Sequence, residues 1–291
     1  MIRVARLLLL AAALAAPAGR PSAAASAQNP TFATRVDAVR VDVLVTDAGR
    51  IVEGLSAADF EVLDNGVPQQ VDLLSFGELP LNVILAFDMS ESVAGSRLRN
   101  LRTAGRALLG GLRPADQAAL VTFSHAVVLA ADLSSDTTLV RAALDDAAAF
   151  GSTALVDAAY TGIVLGESDR ARALLIVFSD GLDTASFLQP DFVHDTARRT
   201  DTVVYAVSAG IPEKAGFLRE LARLTGGSLL EVGTRADLTP ALVGILSEFR
   251  QRYLLSYAPR GVAPDGWHDI TVRLRGATGA VQARPGYLAG F

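Results

Sequence analysis

The chain contains no cysteine. This excludes thiolate nucleophiles, thiolate metal sites and a lipid-modified cysteine. It also excludes disulfides, so a buried core must hold the fold, in either redox compartment. There is no G-x-x-x-x-G-K and no G-x-G-x-x-G, which leaves nucleotide binding without its usual phosphate-binding loop. No G-x-S-x-G elbow supports a Ser–His–Asp hydrolase. The three histidines, His125, His194 and His268, show no H-E-x-x-H or other ligand spacing. Basic residues are also in short supply. The chain has 26 Lys+Arg against 31 Asp+Glu, and residues 1–27 hold three of the arginines and no acid. Without that segment the balance is 23 against 31, a net charge of −8. Such a surface is unsuited to nonspecific binding of nucleic acid or anionic membrane.

Residues 1–27 read as a leader. Arg3 and Arg6 make a basic start, Leu7 to Ala16 an apolar stretch, and Ala25-Ser26-Ala27 a small-residue cleavage pattern before Gln28. The apolar stretch is too short to span a bilayer as a helix. The expectation is an exported protein, periplasmic or secreted, with no membrane span after cleavage.

The remainder divides by its hydropathy period. In residues 36–76, Val39, Val41, Val43 and Val45 alternate with other residues at a period of two. Phe60 to Leu63 then runs into Asp64-Asn65-Gly66, a hairpin signal, and Val71 to Phe76 returns as a strand. Far along the chain, Gly266 to Arg275 alternates again, with Ala280 to Ala283 as its expected answering strand. Neither end is long enough for a closed sandwich, so the expectation is one small β-sandwich-like domain built from residues 28–79 and 254–291. Between them, residues 80–253 alternate strands with helices, which argues for a mostly parallel, doubly wound α/β sheet flanked by helices. Tyr253 and Tyr257 are expected to pack between the two domains. Arg198-Arg199 and Arg250-Gln251-Arg252 read as solvated helix faces.

The chemistry gathers at Asn82 to Ser92. Val83 to Phe87 is a continuous apolar run, as expected of a strand buried on both faces, and it ends in Asp88, Ser90 and Ser92. A helical pattern with Leu98, Leu101, Leu108 and Leu112 on one side follows. In open α/β sheets, ligands bind beyond the carboxyl ends of the strands, where these oxygens fall. Two more oxygen donors belong to similar positions: Thr153 in Gly151-Ser152-Thr153-Ala154-Leu155, and Asp180 closing the apolar run Leu174 to Phe178. Taken one at a time, Ser92, Ser96 or Thr153 also suits a helix cap and Asp180 a turn. Together, D-x-S-x-S, the later Thr and the strand-closing Asp resemble the metal-ion-dependent adhesion site of von Willebrand factor type A domains. The element order of residues 80–253 resembles that domain too. With its terminal strands, the chain looks like a bacterial family of exported proteins related to these domains.

The resemblance implies a divalent ion, Mg²⁺ with Mn²⁺ or Ca²⁺ as alternatives, held by Asp88, Ser90, Ser92, Thr153 and Asp180. Hydroxyl donors are neutral and leave such an ion strongly electrophilic, while the two carboxylates act mostly through water or as hydrogen-bond acceptors. The ion then seeks one more anionic oxygen, in the family a Glu or Asp of a protein partner. The expected function is metal-bridged recognition without turnover. Two alternatives are a structural envelope protein with a vestigial site and a metal-assisted hydrolase using the same ion as Lewis acid. The hydrolase would need a general base, for which only Glu91 and Asp183 lie near in sequence.

Overall fold

The valine alternation does form a strand, β1 (Val39–Asp47), whose Val39, Val41, Val43 and Val45 are all buried. A short return strand β2 (Arg50–Ile51) pairs back onto it. The Asp64-Asn65-Gly66 signal joins β3 (Phe60–Asp64) to β4 (Val67–Gln69), with Asn65 and Gly66 both at positive φ as a tight hairpin turn requires. Strand β5 (Asp72–Phe76) follows. The computed structural model describes residues 38–167, 171–210, 212–233 and 237–290. The expected leader lies outside the described residues.

The central run forms β6 (Leu81–Asp88), and every one of its residues is buried. After it come α1 (Ser96–Gly110), β7 (Gln117–Phe123), β8 (Val127–Ser134), α2 (Thr137–Asp146), α3 (Leu155–Gly166) and β9 (Arg172–Ser179). Then follow α4 (Pro190–Ala197), β10 (Val203–Ser208), α5 (Gly216–Thr225), β11 (Leu229–Glu231) and α6 (Thr239–Arg250). The six strands lie in the order β11-β10-β9-β6-β7-β8, parallel except for the edge strand β8. Alternate residues of β6 serve two separate cores. Val83, Leu85 and Phe87 pack with Leu101, Leu144 and Phe249 from α1, α2 and α6, while Ile84 and Ala86 pack with Ile163, Val193 and Leu221 from α3, α4 and α5. Burial on both faces explains the unbroken apolar run.

Strands β12 (Tyr253–Tyr257), β13 (Gly266–Leu274), β14 (Ala280–Gln282) and β15 (Gly286–Ala289) complete the chain. They interleave with the N-terminal strands in two sheets, β14-β1-β12-β5 with β2 on β1, and β15-β13-β3-β4. Their shared core joins Val41, Val43, Phe60 and Val62 to Tyr253, Leu255 and Ile270. Both ends of the chain thus contribute to one core.

Three expectations are corrected here. Strand β14 does not answer β13; it pairs with β1 through Thr46 and Ala280, and β13 lies between β3 and β15. Gly279 makes this possible: at φ +153 it carries no side chain where a Cβ would crowd Thr46 O at 3.1 Å, so the chain passes close over β1. The tyrosines sit inside the terminal core instead of between two domains. The Tyr253 ring packs on Phe60 with centroids 5.2 Å apart, and Tyr257 donates to Asp64 Oδ2 at 2.9 Å. Nor are Arg250 and Arg252, at the end of α6 and just beyond it, solvated. Arg252 is fully buried with Nη1 donating to Gly226 O at 2.6 Å, and Arg250 pairs with buried Asp116 at 2.7 Å. The chain leaves α6 directly into β12 of the other sheet, and that crossing encloses both side chains.

Candidate metal-ion site

At the carboxyl end of the six-stranded sheet, β6 and β9 are neighbours, so the loops that follow them meet. Asp88, the last residue of β6, is fully buried. Its Oδ1 accepts the Ser90 N–H at 2.8 Å and its Oδ2 accepts the Ser179 hydroxyl at 2.8 Å. Ser90 is buried, Ser92 is exposed in the single 3-10 turn Glu91–Val93, and their hydroxyl oxygens converge to 3.1 Å. Backbone hydrogen bonds tie this loop to the Thr153 loop: Phe150 N–H donates to Met89 O at 2.7 Å, and Glu91 N–H to Gly151 O at 3.1 Å.

Thr153 is buried, and the hydrogen bonds described for it run through its backbone. Its N–H donates to Thr184 Oγ1 at 3.0 Å, and its carbonyl accepts from Thr184 and Ala185 at 2.8 and 3.0 Å. Those contacts hold the Thr153 loop against the segment that follows Asp180. Asp180 itself is partly exposed, with Oδ1 accepting the Leu182 N–H at 3.1 Å. The structure thus gathers all five residues on three adjoining loops, with direct side-chain contact between Ser90 and Ser92.

The electrostatics of the cluster are unbalanced. Burial pushes the Asp88 carboxyl above its ordinary value, hydrogen bonds from Ser90 and Ser179 counteract this in part, and the Asp180 carboxylate adds to the rise. Among the described residues there is no group of three or more His, Asp or Glu side chains set to hold an ion. The candidate set here is instead two carboxylates and three hydroxyls, a hard, oxygen-only chemistry of the kind that suits Mg²⁺.

The simpler roles of these residues are filled by others. Helix α1 is preceded by Gly95, without a side-chain cap from Ser92 or Ser96. Helix α3 is capped from a distant loop: Asp183 Oδ1 accepts the Leu155 N–H at 2.8 Å, and Ser186 Oγ accepts the Val156 N–H at 3.0 Å. Asp183 is exposed, and its Oδ1 serves as a cap of α3. Sequence reading missed two supporting positions. Ser179 links Asp88 to the Gly181 N–H, which it accepts at 3.2 Å. Gly210, just past β10, leaves room for Asp180, since a Cβ there would lie 2.0 Å from Asp180 O. Ser179 stands inside Ser179-Asp180-Gly181 and is visible in sequence, whereas nothing local marks Gly210.

Comparison with known proteins agrees with the fold. No curated protein matches the chain. Among solved structures, an aerotolerance-related membrane protein from Bacteroides fragilis NCTC 9343 with multiple mutations to serines is similar at TM-score 0.51 and 15% identity, covering 58% of this chain and 98% of that one. The conserved hypothetical protein BatB from Bacteroides thetaiotaomicron gives TM-score 0.50 and 16% identity, over 58% and 98%. Proximal thread matrix protein 1 from the mussel byssus gives 0.52 and 15%, over 63% of this chain and 49% of that one. Each of these likenesses covers more than half of this chain. Residues 83–182, which run from β6 to just past Asp180, match the family described as von Willebrand factor type A domain.

Proposed function

We propose that this protein is an exported binding module that grips an acidic side chain of a protein partner through a divalent cation, Mg²⁺ by preference, held by Asp88, Ser90, Ser92, Thr153 and Asp180. The observation that carries this reading is the cluster's donor geometry. Asp88 is locked by Ser90 N–H and Ser179 Oγ, which suits an outer acceptor that fixes the shell. The paired Ser90 and Ser92 hydroxyls, 3.1 Å apart, suit neutral inner donors. A bound cation would also offset the burial and mutual repulsion of Asp88 and Asp180. Neutral donors around a doubly charged ion leave it seeking an anionic oxygen, and a carboxylate from outside supplies one.

Binding without turnover is the reading that the surroundings of the cluster favour. A hydrolase needs a base near the ion-bound water, and Asp183 Oδ1 is committed to α3 N–H groups. Glu91 is exposed on the loop between Ser90 and Ser92. Export rests on the residues 1–27 pattern, and no helix among the described residues is long and apolar enough to cross a membrane.

The test is calorimetric titration of Mg²⁺ and Mn²⁺ into the metal-stripped full chain and its Asp88→Ala variant. Saturable binding in the parent, weakened at least tenfold in the variant, is the expected result. Equal affinity in both proteins would remove Asp88 from the site.

A further inference from the structure

Helix α1 carries cations that few nearby groups neutralise. It holds Arg97, Arg99, Arg102 and Arg106, Arg113 follows it, and residues 92–113 contain no Asp or Glu. Arg99, Arg102 and Arg106 stand at i, i+3 and i+7, one face of a helix, with Arg99 and Arg106 exposed and Arg102 half-buried. Leu101, Leu108 and Leu109 face the core. What holds the arginines leaves their charge standing. Arg97 Nη1 donates to Ser92 O at 2.9 Å and Arg113 Nη1 to Gly77 O at 2.6 Å. Arg102 donates to the Leu144 and Ala147 carbonyls at the end of α2, and Arg141 of α2 donates to Arg106 O at 3.1 Å. A backbone carbonyl fixes a guanidinium without cancelling its charge. Among the described residues only Arg106 of this group forms an ion pair, with Asp145, whereas eight arginines elsewhere meet a carboxylate.

The acids of the same elements do not remove this surplus. They are Glu91 in the turn before α1, Asp136 at the cap of α2, and Asp145 and Asp146 in its last turn. Of the acids nearby, Asp116 is buried against Arg250, Asp132 lies on the edge strand β8, and Glu248 of α6 is bonded to Tyr205. Six cations thus stand against four acids here, while the rest of the chain beyond residue 27 carries −10. Guanidinium groups pair with carboxylates in planar, two-pronged geometry, so a row of them suits a short acidic segment. A membrane-surface helix would turn apolar side chains outward, whereas the leucines of α1 are packed inward. A nucleic acid would need a longer basic track, and the acidic remainder would repel it.

We infer that α1 is a docking row for an acidic segment of a protein partner, whose carboxylates meet Arg99, Arg102 and Arg106. The row works without an ion and so stands apart from the metal-bridging reading. Fluorescein-labelled hexaglutamate and hexaglutamine peptides test it, titrated by anisotropy into the metal-stripped full chain, Arg99→Glu and Arg219→Glu. Arg219 is an exposed arginine of α5 that pairs with Glu231, so its variant makes the same change of charge elsewhere. Arg99 is exposed in the first turn of α1, where an acid suits the helix, so Arg99→Glu keeps the fold. Hexaglutamate should bind and hexaglutamine should not, with affinity falling as salt is raised. Arg99→Glu should weaken hexaglutamate about fivefold or more, the weight of one close charge pair in water, and Arg219→Glu less than half as much. Equal losses in the two variants, or no preference for hexaglutamate, would overturn the docking row. Tighter binding of duplex DNA or phosphatidylserine vesicles than of hexaglutamate would overturn the choice of partner. With no metal present, each outcome leaves the ion reading to its own titration.

Discussion

Asp64 closes β3 and Asp88 closes β6, and both are fully buried, yet their surroundings differ in kind. Around Asp64 the acceptors are saturated by side chains from far along the chain. His268 Nδ1 lies 2.7 Å from Oδ1, while Tyr257 and Tyr287 hydroxyls donate to Oδ2 at 2.9 and 3.0 Å. Burial and the hydrogen bond to Asp64 push both tyrosine hydroxyls above their ordinary values, which keeps them protonated donors. Around Asp88 the partners are Ser90, two residues on, and Ser179 from β9, the hydroxyls beyond it lead outward to exposed Ser92, and a second carboxylate stands close by. A closed cluster of this sort stores stability, whereas an open one stores an unmet electrostatic demand. The difference separates a structural aspartate from a candidate ligand-holding one.

Several substitutions would sharpen or break that contrast. The largest loss is expected for Asp64→Ala, which strands three buried partners and should cost about 3–5 kcal/mol in urea denaturation. Next is Gly210→Ala. Its Cβ would collide with the Asp180 carbonyl, and the expected cost of about 1–3 kcal/mol should come with weakened Mg²⁺ binding. A loss confined to stability would detach Gly210 from the site.

Asp116 offers a third buried aspartate of the closed kind. Burial alone would raise its carboxyl, but the Arg250 contact and the N–H groups of Arg113 and Leu81 outweigh that and hold it below its ordinary value. A lowered carboxyl contributes stability above the ordinary carboxylate value and loses it as pH falls through the folded value. Asp116→Asn should therefore cost about 1–2 kcal/mol at neutral pH, with the gap to the parent closing on acidification. Denaturation across a pH series would show it; a gap that widens in acid would reverse the assignment. Smallest of all, Phe187→Ala should change stability by no more than about 0.5 kcal/mol.

Much of this architecture was legible in the sequence, for identifiable reasons. β6 announces itself because it is buried on both faces, and the valines of β1 because they are buried on one. The candidate oxygen residues stand out in sequence because Asp88 ends β6, Asp180 follows β9 and Thr153 precedes α3. Pairing was less so. That β14 joins β1 and that β15 exists at all depend on contacts with residues more than 200 positions earlier or on partners such as the Arg198 carbonyl, which accepts the Leu288 N–H. The same holds for Asp183, whose capping targets lie 28 and 27 positions away. Its neighbours in space, not in sequence, make Asp183 Oδ1 a helix cap.

The central claim is that Asp88 is held in its buried place for an ion. Because burial raises its carboxyl, the ionised form works against folding as pH rises through the ordinary carboxylate range, a cost that Asp88→Asn removes. Thermal unfolding of the metal-stripped full chain and of Asp88→Asn, each with and without Mg²⁺ at neutral pH, tests this directly. Without Mg²⁺ the variant should match or exceed the parent. With saturating Mg²⁺ the parent alone should gain, by about 2.7 kcal/mol at a hundredfold excess over Kd. A variant that is destabilised without metal and still gains from Mg²⁺ would contradict the account.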